Sequence, residues 1–436
     1  MSYDTVVIGG GMAGMAAALT LAEHGQHVAL LEANPHLGGL ASSFERDGRL
    51  VPLGYHHILS SDAQLLSFLA RFGLLSRVHW KRVEMGFSID DTIVGLSNPR
   101  DFLRAPLSWR VKMGMAARVA TAWWPLGDDE PASDWLRRLT GSKALDDFFN
   151  PLTQIKFGLP TSGLSAAWLR ARLAAGEAGS RYGYMPNEDW VSVLVDALHR
   201  RLRERGVTVR TECRVAKLHT ASSRTRLQSV ELDSGERMAA HAFVAAIPTP
   251  ILQTLAPEVA CPALRAIEYT GVVSTVVATR SAVPVDRYWT NFLRPATSFG
   301  GIFRLDLLND SLGHPGVKLL NFCTHVAPRH KGSSMLSWTE ADIERRYLRD
   351  FESRFGTVIE PEWTHTSRIG LYSPVFVNGY RNPPVRHSRL GNLFLAGNHR
   401  TFPVLATTGS AMGSGVEAAH AVLNSDGAHL RAIEAA

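Results

Sequence analysis

Apolar and polar positions fall into three kinds of stretch along this chain. Short apolar runs occur at Asp4 to Ile8 and His27 to Leu31, and a longer one from His241 to Pro248 ends in small residues. These predict strands, the last of them buried. Helix-forming segments cover Met15 to His24, Ala63 to Phe72, Ser133 to Leu139 (with Ser133 placed as a cap), Ser165 to Ala175 and Val191 to Arg205. A further helix, Thr339 to Phe355, has a capping Thr339, early acids Glu340 and Asp342, and arginines later, as a helix dipole favours. Alternating or β-branched stretches at Val83 to Ile89, Thr92 to Leu96, Thr270 to Arg280, Tyr288 to Asn291, Phe299 to Leu305, Val317 to Thr324 and Thr364 to Ile369 predict a mixed sheet. Gly206 to Arg210 reads as a strand, and Arg226 to Leu232 with Met238 to Ala240 as a meander around Ser234-Gly235-Glu236.

Chemistry enters between the first two apolar runs. Gly9-Gly10-Gly11-Met12-Ala13-Gly14 fits G-x-G-x-x-G at Gly9, Gly11 and Gly14, and Gly25 closes the helix that follows. Gly9 permits the tight turn, Gly11 lets backbone approach a pyrophosphate, and Gly14 lets helix pack close to strand. The helix N-terminus offers free N–H groups to phosphate. Glu32, at the end of the second run, is placed to accept hydrogen bonds from a ribose. The strand–turn–helix–strand–acid order makes this a dinucleotide site, without specifying which dinucleotide.

A chain of 436 residues suggests two or three domains. Its apolar and charged contents are those of a soluble globular protein, and no apolar run approaches roughly 18 residues. The first strand starts by Asp4 with no basic n-region before it, so the cytoplasm is the expected compartment. Cys213, Cys261 and Cys323 are widely spaced and read as reduced thiols, with no metal site implied. The net charge of +6 reads first as a solvated basic surface; the sharper readings are an anionic substrate or an anionic membrane surface. Nucleic acid is not expected, since no basic cluster interleaved with aromatics occurs in a known motif. The stretch Asp101 to Trp124 is basic and Trp-bearing, broken by Pro106; its charges do not fall on one face, which favours an ordinary helix over membrane contact at the inner face.

The dinucleotide unit, its acid and the pair Gly38-Gly39 some six residues later together resemble the glycine-pair flavoproteins. That group includes amine oxidases, protoporphyrinogen oxidases, phytoene-desaturase-like enzymes and UDP-galactopyranose mutases. Further segments resemble it: Gly54-Tyr55-His56-His57-Ile58, Lys156-Phe157-Gly158, the strand ending at Ala246 and Pro248, and Leu393-Phe394-Leu395-Ala396-Gly397-Asn398 before the last helix. The resemblance covers nearly the whole chain. It implies an α/β fold: a Rossmann-like, glutathione-reductase-type FAD-binding domain (residues 1–80, 185–265 and 385–424) with an inserted mixed-sheet plus helical substrate domain (81–184 and 266–384), and a loose tail at 425–436. It implies non-covalent FAD, because no cysteine lies beside the last loop. It places FAD on Gly9, Gly11, Met12, Ala13, Gly14, Glu32, Ala33, Gly38, Gly39 and Leu40, on Val215 and Ala246, and on Gly397, Asn398, Thr407, Thr408, Ser410 and Met412.

His56, His57, Lys156 and Glu188 are the candidate catalytic residues. His57 aligns with a histidine of the mutases, and both histidines read either as flavin-proximal or as loop histidines. Lys156 reads as cavity-facing or as solvated. Asn187-Glu188 stands where the group usually carries a glycine pair, so either the loop withdraws, or its side chains crowd the flavin, or Glu188 acts in catalysis; alternatively Asn187 or Asp189 simply caps the next helix. Arg280 falls near the place of an amine-oxidase lysine but reads better as a surface arginine. The implied activity is hydride transfer from a C–H or N–CH bond of a small biosynthetic intermediate, anionic or apolar, with O2 or a quinone-like acceptor. A redox-neutral mutase or isomerase and a non-catalytic flavin-binding protein are the alternatives.

Overall fold

The computed structural model describes residues 3–90, 92–95, 99–114, 129–174, 181–257, 261–328 and 334–434. Tyr3–Ile8 is a strand, Met12–Glu23 a helix and Val28–Leu31 a second strand parallel to the first, in register Thr5 to Val28. The helix is apolar all round, and its residues Met12 to Ala22 are buried. A helix with no polar face must be covered on every side. The sheet covers one side; Trp190–Glu204 and the last helix, Thr408–Glu434, pack on it as well.

Small residues set how close these layers come. A Cβ on Gly14 would lie 1.9 Å from the Gly9 carbonyl oxygen, and one on Gly415 would lie 2.0 Å from that of Ala13. The first helix is therefore pressed backbone to backbone against its own turn and against the last helix.

Five parallel strands make the centre of this sheet: Thr208–Arg210, Val28–Leu31, Tyr3–Ile8, Arg237–Ala245 and Leu393–Leu395. The first half of Arg237–Ala245 pairs antiparallel with Leu227–Leu232, which pairs in turn with Val215–Thr220. Strands from both ends of the chain thus share one sheet.

The second sheet runs Pro361–Pro374, Tyr269–Thr279, Lys318–Val326, Gly301–Arg304, Trp289–Phe292, Met85–Ile89 and Thr92–Gly95. All its pairs are antiparallel except Trp289–Phe292 with Met85–Ile89. Every residue of Tyr269–Thr279 is buried, since the sheet is covered on both faces. On one face lies the helix Glu340–Phe355, capped by Thr339, which presents Ile343, Tyr347 and Phe351. Tyr347 donates to Thr324 Oγ1 at 2.7 Å. Side chains alternate along a strand, so Cys323 and His325 point to the opposite face.

Several elements differ from the sequence pattern. Ser133 lies inside the helix Ala132–Thr140, whose cap position is Pro131 with no side-chain cap bond. The loose tail expected from 425 is instead helix to Glu434: Ala, Leu, Arg and Glu favour helix there and no proline stops it. The strand Pro361–Pro374 is longer than its alternation suggests, because nearly its whole length pairs with Tyr269–Thr279. Around Pro106 the chain breaks as expected, between Pro99–Arg104 and a helical stretch at 109–114; the rest of that stretch lies outside the described residues. Among the described residues no helix is long and apolar enough to cross a membrane.

The backbone contact at Gly415 generates the first prediction. Gly415→Ala should lower unfolding stability by about 1–3 kcal/mol, the usual cost of overpacking. Gly370→Ala, where a Cβ would meet nothing within 4 Å, should change it by less than about 0.5 kcal/mol. Urea denaturation of both variants checks this, and equal midpoints would contradict the packing described.

Candidate active site

A cavity of about 690 Å³ extends from the carboxyl ends of the parallel strands to the face of the second sheet opposite the helix Glu340–Phe355. Carboxyl strand ends are where open α/β sheets bind ligands, and the volume lies in the usual range for small-molecule sites. At its first end Gly9 turns with φ +103°. Gly10 N donates to Glu32 Oε2 at 2.7 Å, while Glu32 Oε1 accepts from Asn34 N and Nδ2 at 2.8 and 2.9 Å. Glu32 thus ties the turn to the end of the second strand, and it also lines the cavity.

Gly38 N donates to Gly10 O at 3.0 Å, which lays the Gly38-Gly39 loop beside Gly11. Both loop glycines have positive φ. A Cβ on Gly11 would meet only Gly39 Cα, at 3.9 Å. The space over Gly11 is open, and the first helix begins there with no side-chain cap. Uncapped N–H groups at a helix start, with a side-chain-free approach, suit a phosphate anion. His399 also lines the cavity, and its buried Nε2 has no hydrogen-bond partner there.

Most of the expected cofactor residues line this cavity. They are Gly9, Gly11, Met12, Ala13, Glu32, Ala33, Gly38, Gly39, Leu40, Val215, Ala246, Gly397, Asn398, Thr407 and Thr408. Three do not. Gly14 serves packing, as described. The Ser410 hydroxyl donates to Leu405 O at 2.7 Å and accepts from Thr407 N at 2.8 Å, so it fastens the loop before the last helix. Met412 is fully buried in the core around the first helix. Helix phase explains the error: Thr408 and Ala411, three apart, share the cavity-facing side.

The far end is an aromatic chamber. Tyr55 stacks on Phe303 with centroids 3.7 Å apart. His57 Nδ1 lies 3.2 Å from the Tyr288 hydroxyl, and its ring packs edgewise on Tyr182. Lys156 Nζ sits 3.6 Å from the centroid of the Trp289 ring. Cys323 Sγ is 3.9 Å from His325 Nδ1. Burial pushes the Cys323 thiol up to about 12 and the Tyr372 phenol up to about 12, and holds Tyr55 well above its ordinary value. Burial, with Lys156 and Arg172 nearby, brings His325 down to about 3. At neutral pH the chamber therefore holds a thiol, neutral phenols and a neutral imidazole.

The four catalytic candidates separate here. His57 and Lys156 face the chamber. His56 also lines the cavity; its carbonyl accepts from Trp190 Nε1 at 3.2 Å, and burial lowers its pKa. Glu188 is not brought to the cavity: it is half-exposed and pairs with Arg77. The segment around it is built to start a helix. Asn187 takes a left-handed φ of 63°, and Asp189 accepts from Val191 N and Ser192 N as the cap. Arg280 is a surface residue bonded to Glu362.

Sequence reasoning missed Trp168, Arg172, Trp289, Cys323 and His325, which all line the chamber. For the last two the signal was present: Asn321, Cys323 and His325 alternate with Phe322 and Thr324 along one strand.

The chain belongs to the family described as flavin containing amine oxidoreductase, whose model matches residues 12–423. It is therefore a flavin-dependent oxidoreductase. It is 27% identical over 296 residues to a protein described as "Probable zeta-carotene desaturase" from Synechococcus elongatus, covering 58% of this chain and 60% of that one. It is 24% identical over 451 residues to the hydroxysqualene dehydroxylase of Zymomonas mobilis, covering 96% of this chain and 99% of that one. Among solved structures, a reduced UDP-galactopyranose mutase shares the fold with a TM-score of 0.74 at 15% identity, over 97% of this chain and 96% of that one.

The open space over Gly11 separates folding from cofactor binding. Gly11→Val should keep a native far-ultraviolet circular dichroism spectrum and lose the visible flavin spectrum. Normal flavin content in this variant would contradict the assignment of that space to the pyrophosphate.

Proposed function

We propose that this enzyme holds FAD non-covalently along the cavity and oxidises a C–H bond of a small, largely apolar biosynthetic intermediate. The observation that carries this reading is the continuity of one cavity from the glycine cradle to the aromatic chamber. The Gly11 approach and the N-terminus of the first helix would receive the pyrophosphate, Glu32 the ribose, and Val215 with Ala246 the adenine. Asn398, Thr407 and Thr408 would contact the distal part. A bound flavin supplies a two-electron sink that takes hydride at N5.

The chain's own residues supply the rest. The walls of Tyr55, Trp289 and Phe303 exclude water and orient an apolar donor. Loss of a C–H hydride leaves a proton to be removed from a neighbouring position. His57, held against Tyr288, is the imidazole available to receive it, since His325, brought down to about 3, is a weak base. His56 acts by position, since its carbonyl is tied to Trp190. Reoxidation by O2 or a quinone-like acceptor completes the cycle. Exposed Leu103, Trp109 and Met113, beside Arg104, Arg110 and Lys112, support peripheral contact with an anionic membrane surface.

Anaerobic mixing with apolar intermediates should bleach the flavin, and air should restore it. A protein that cannot be reconstituted with FAD would overturn the reading. Turnover only after prior reduction, with no net electron transfer, would replace it with a redox-neutral isomerisation. His57→Phe should slow anaerobic reduction by about 100-fold or more at unchanged flavin content, the range for removing a general base. Unchanged kinetics would make His57 structural.

A further inference from the structure

The wall that the second sheet gives to the chamber is built from alternate residues of three strands. Trp289 and Asn291, Gly301 and Phe303, and Cys323 and His325 share one face and line the cavity. Asn291 lies directly opposite Gly301, and Gly301 directly opposite Cys323. This row therefore has no side chain at its centre. A Cβ on Gly301 would be in ordinary contact with Thr290 O at 3.5 Å, Trp289 Nε1 at 3.7 Å and Phe303 Cε2 at 3.8 Å. Its absence leaves a notch, and glycine inside a strand often marks the close approach of a ligand.

The groups beside the notch are polar and uncharged. Lys156 Nζ occupies the face of Trp289, 3.6 Å from its centroid, while the N–H edge of that ring is turned toward Gly301. Asn291 is 1% exposed, and its Nδ2 donates to Gly86 O at 3.4 Å. That bond leaves the amide Oδ1 as an acceptor to which, among the described residues, nothing donates. Cys323 across the row remains a thiol. A ligand oxygen in the notch thus meets an indole donor and an amide acceptor. Ether and carbonyl oxygens only accept, whereas a hydroxyl accepts and donates and so satisfies both. A buried amide oxygen without a partner costs free energy, which such a ligand recovers.

We propose that the notch over Gly301 is a hydroxyl-receiving subsite, formed by the indole N–H of Trp289 and the amide oxygen of Asn291, so that this enzyme takes an alcohol: an apolar body bearing a hydroxyl group. The assignment rests on the oxidative reading above, and names the substrate class of the same site.

The test is calorimetric titration of the flavin-loaded enzyme with decanol and its isomer 1-methoxynonane. The two have the same atoms, and only the alcohol can donate. Calorimetry reads the chamber without turnover, so an enzyme that binds decanol and oxidises no apolar donor tells failure of the oxidative reading apart from failure of the subsite. Decanol should bind about fivefold or more tighter than the ether, the worth of one net hydrogen bond. Asn291→Leu removes the acceptor at similar volume; it should abolish that preference and leave the ether within about twofold. Gly301→Val fills the notch and should weaken decanol by about tenfold or more. Equal affinity of the unaltered enzyme for the two isomers, or no saturable uptake of decanol, would overturn the subsite, and neither measurement needs a variant. A preference for decanol that survives in Asn291→Leu would overturn it as well.

Discussion

Everything in this molecule depends on backbone meeting backbone around the first turn. Gly9 and Gly14 bring the first helix against its own strand. Gly11 and Gly39 bring a distant loop against the turn, and Gly415 brings the last helix against Ala13. At Gly9, Gly14, Gly39 and Gly415 a Cβ would lie 3.1 Å or less from its nearest neighbour, while over Gly11 the space is open. Together they draw the first forty residues and the chain's final helix into one wall. The cavity is the space this leaves over Gly11, where the uncapped N–H groups of the first helix remain available. Packing and ligand chemistry are thus two consequences of one constraint.

That constraint also explains what could be read from the residues alone. Close backbone approach leaves a local mark, a glycine at a fixed spacing, so the parallel sheet and most of the cofactor end were legible. The chamber was not. Trp289, Cys323 and His325 meet across three successive antiparallel strands, and the alternation along each strand does not state the register in which they pair. Which face of Lys318–Val326 turns inward was decided by the helix Glu340–Phe355, whose Tyr347 claims Thr324. Ser410 and Met412 were carried over from the resemblance, and helical phase turns both away from the cavity. Glu188 was singled out because it replaced a glycine. Its neighbour Asp189 instead made the segment a helix start and left Glu188 at the surface with Arg77.

The two ends of the cavity are governed by different physics. The end at the glycine turn is polar and offers backbone donors beside one fully engaged carboxylate. The chamber works by burial. Desolvation keeps the Cys323 thiol and the Tyr55 and Tyr372 phenols protonated, and His325 neutral. A thiol held near 12 is no nucleophile at neutral pH, which argues against covalent catalysis through Cys323. The same burial makes His325, brought down to about 3, a weak base at neutral pH.

Burial also sharpens the effect of the charges that remain. In water at ordinary ionic strength, the fields of Lys156 and Arg172 would be screened over roughly 10 Å. Inside a chamber walled by Trp289, Phe303 and Tyr55 they act with much less screening. Their reach is visible at His325, whose protonation both oppose. Burial is the first cause of that imidazole's neutrality, and the two cations add to it.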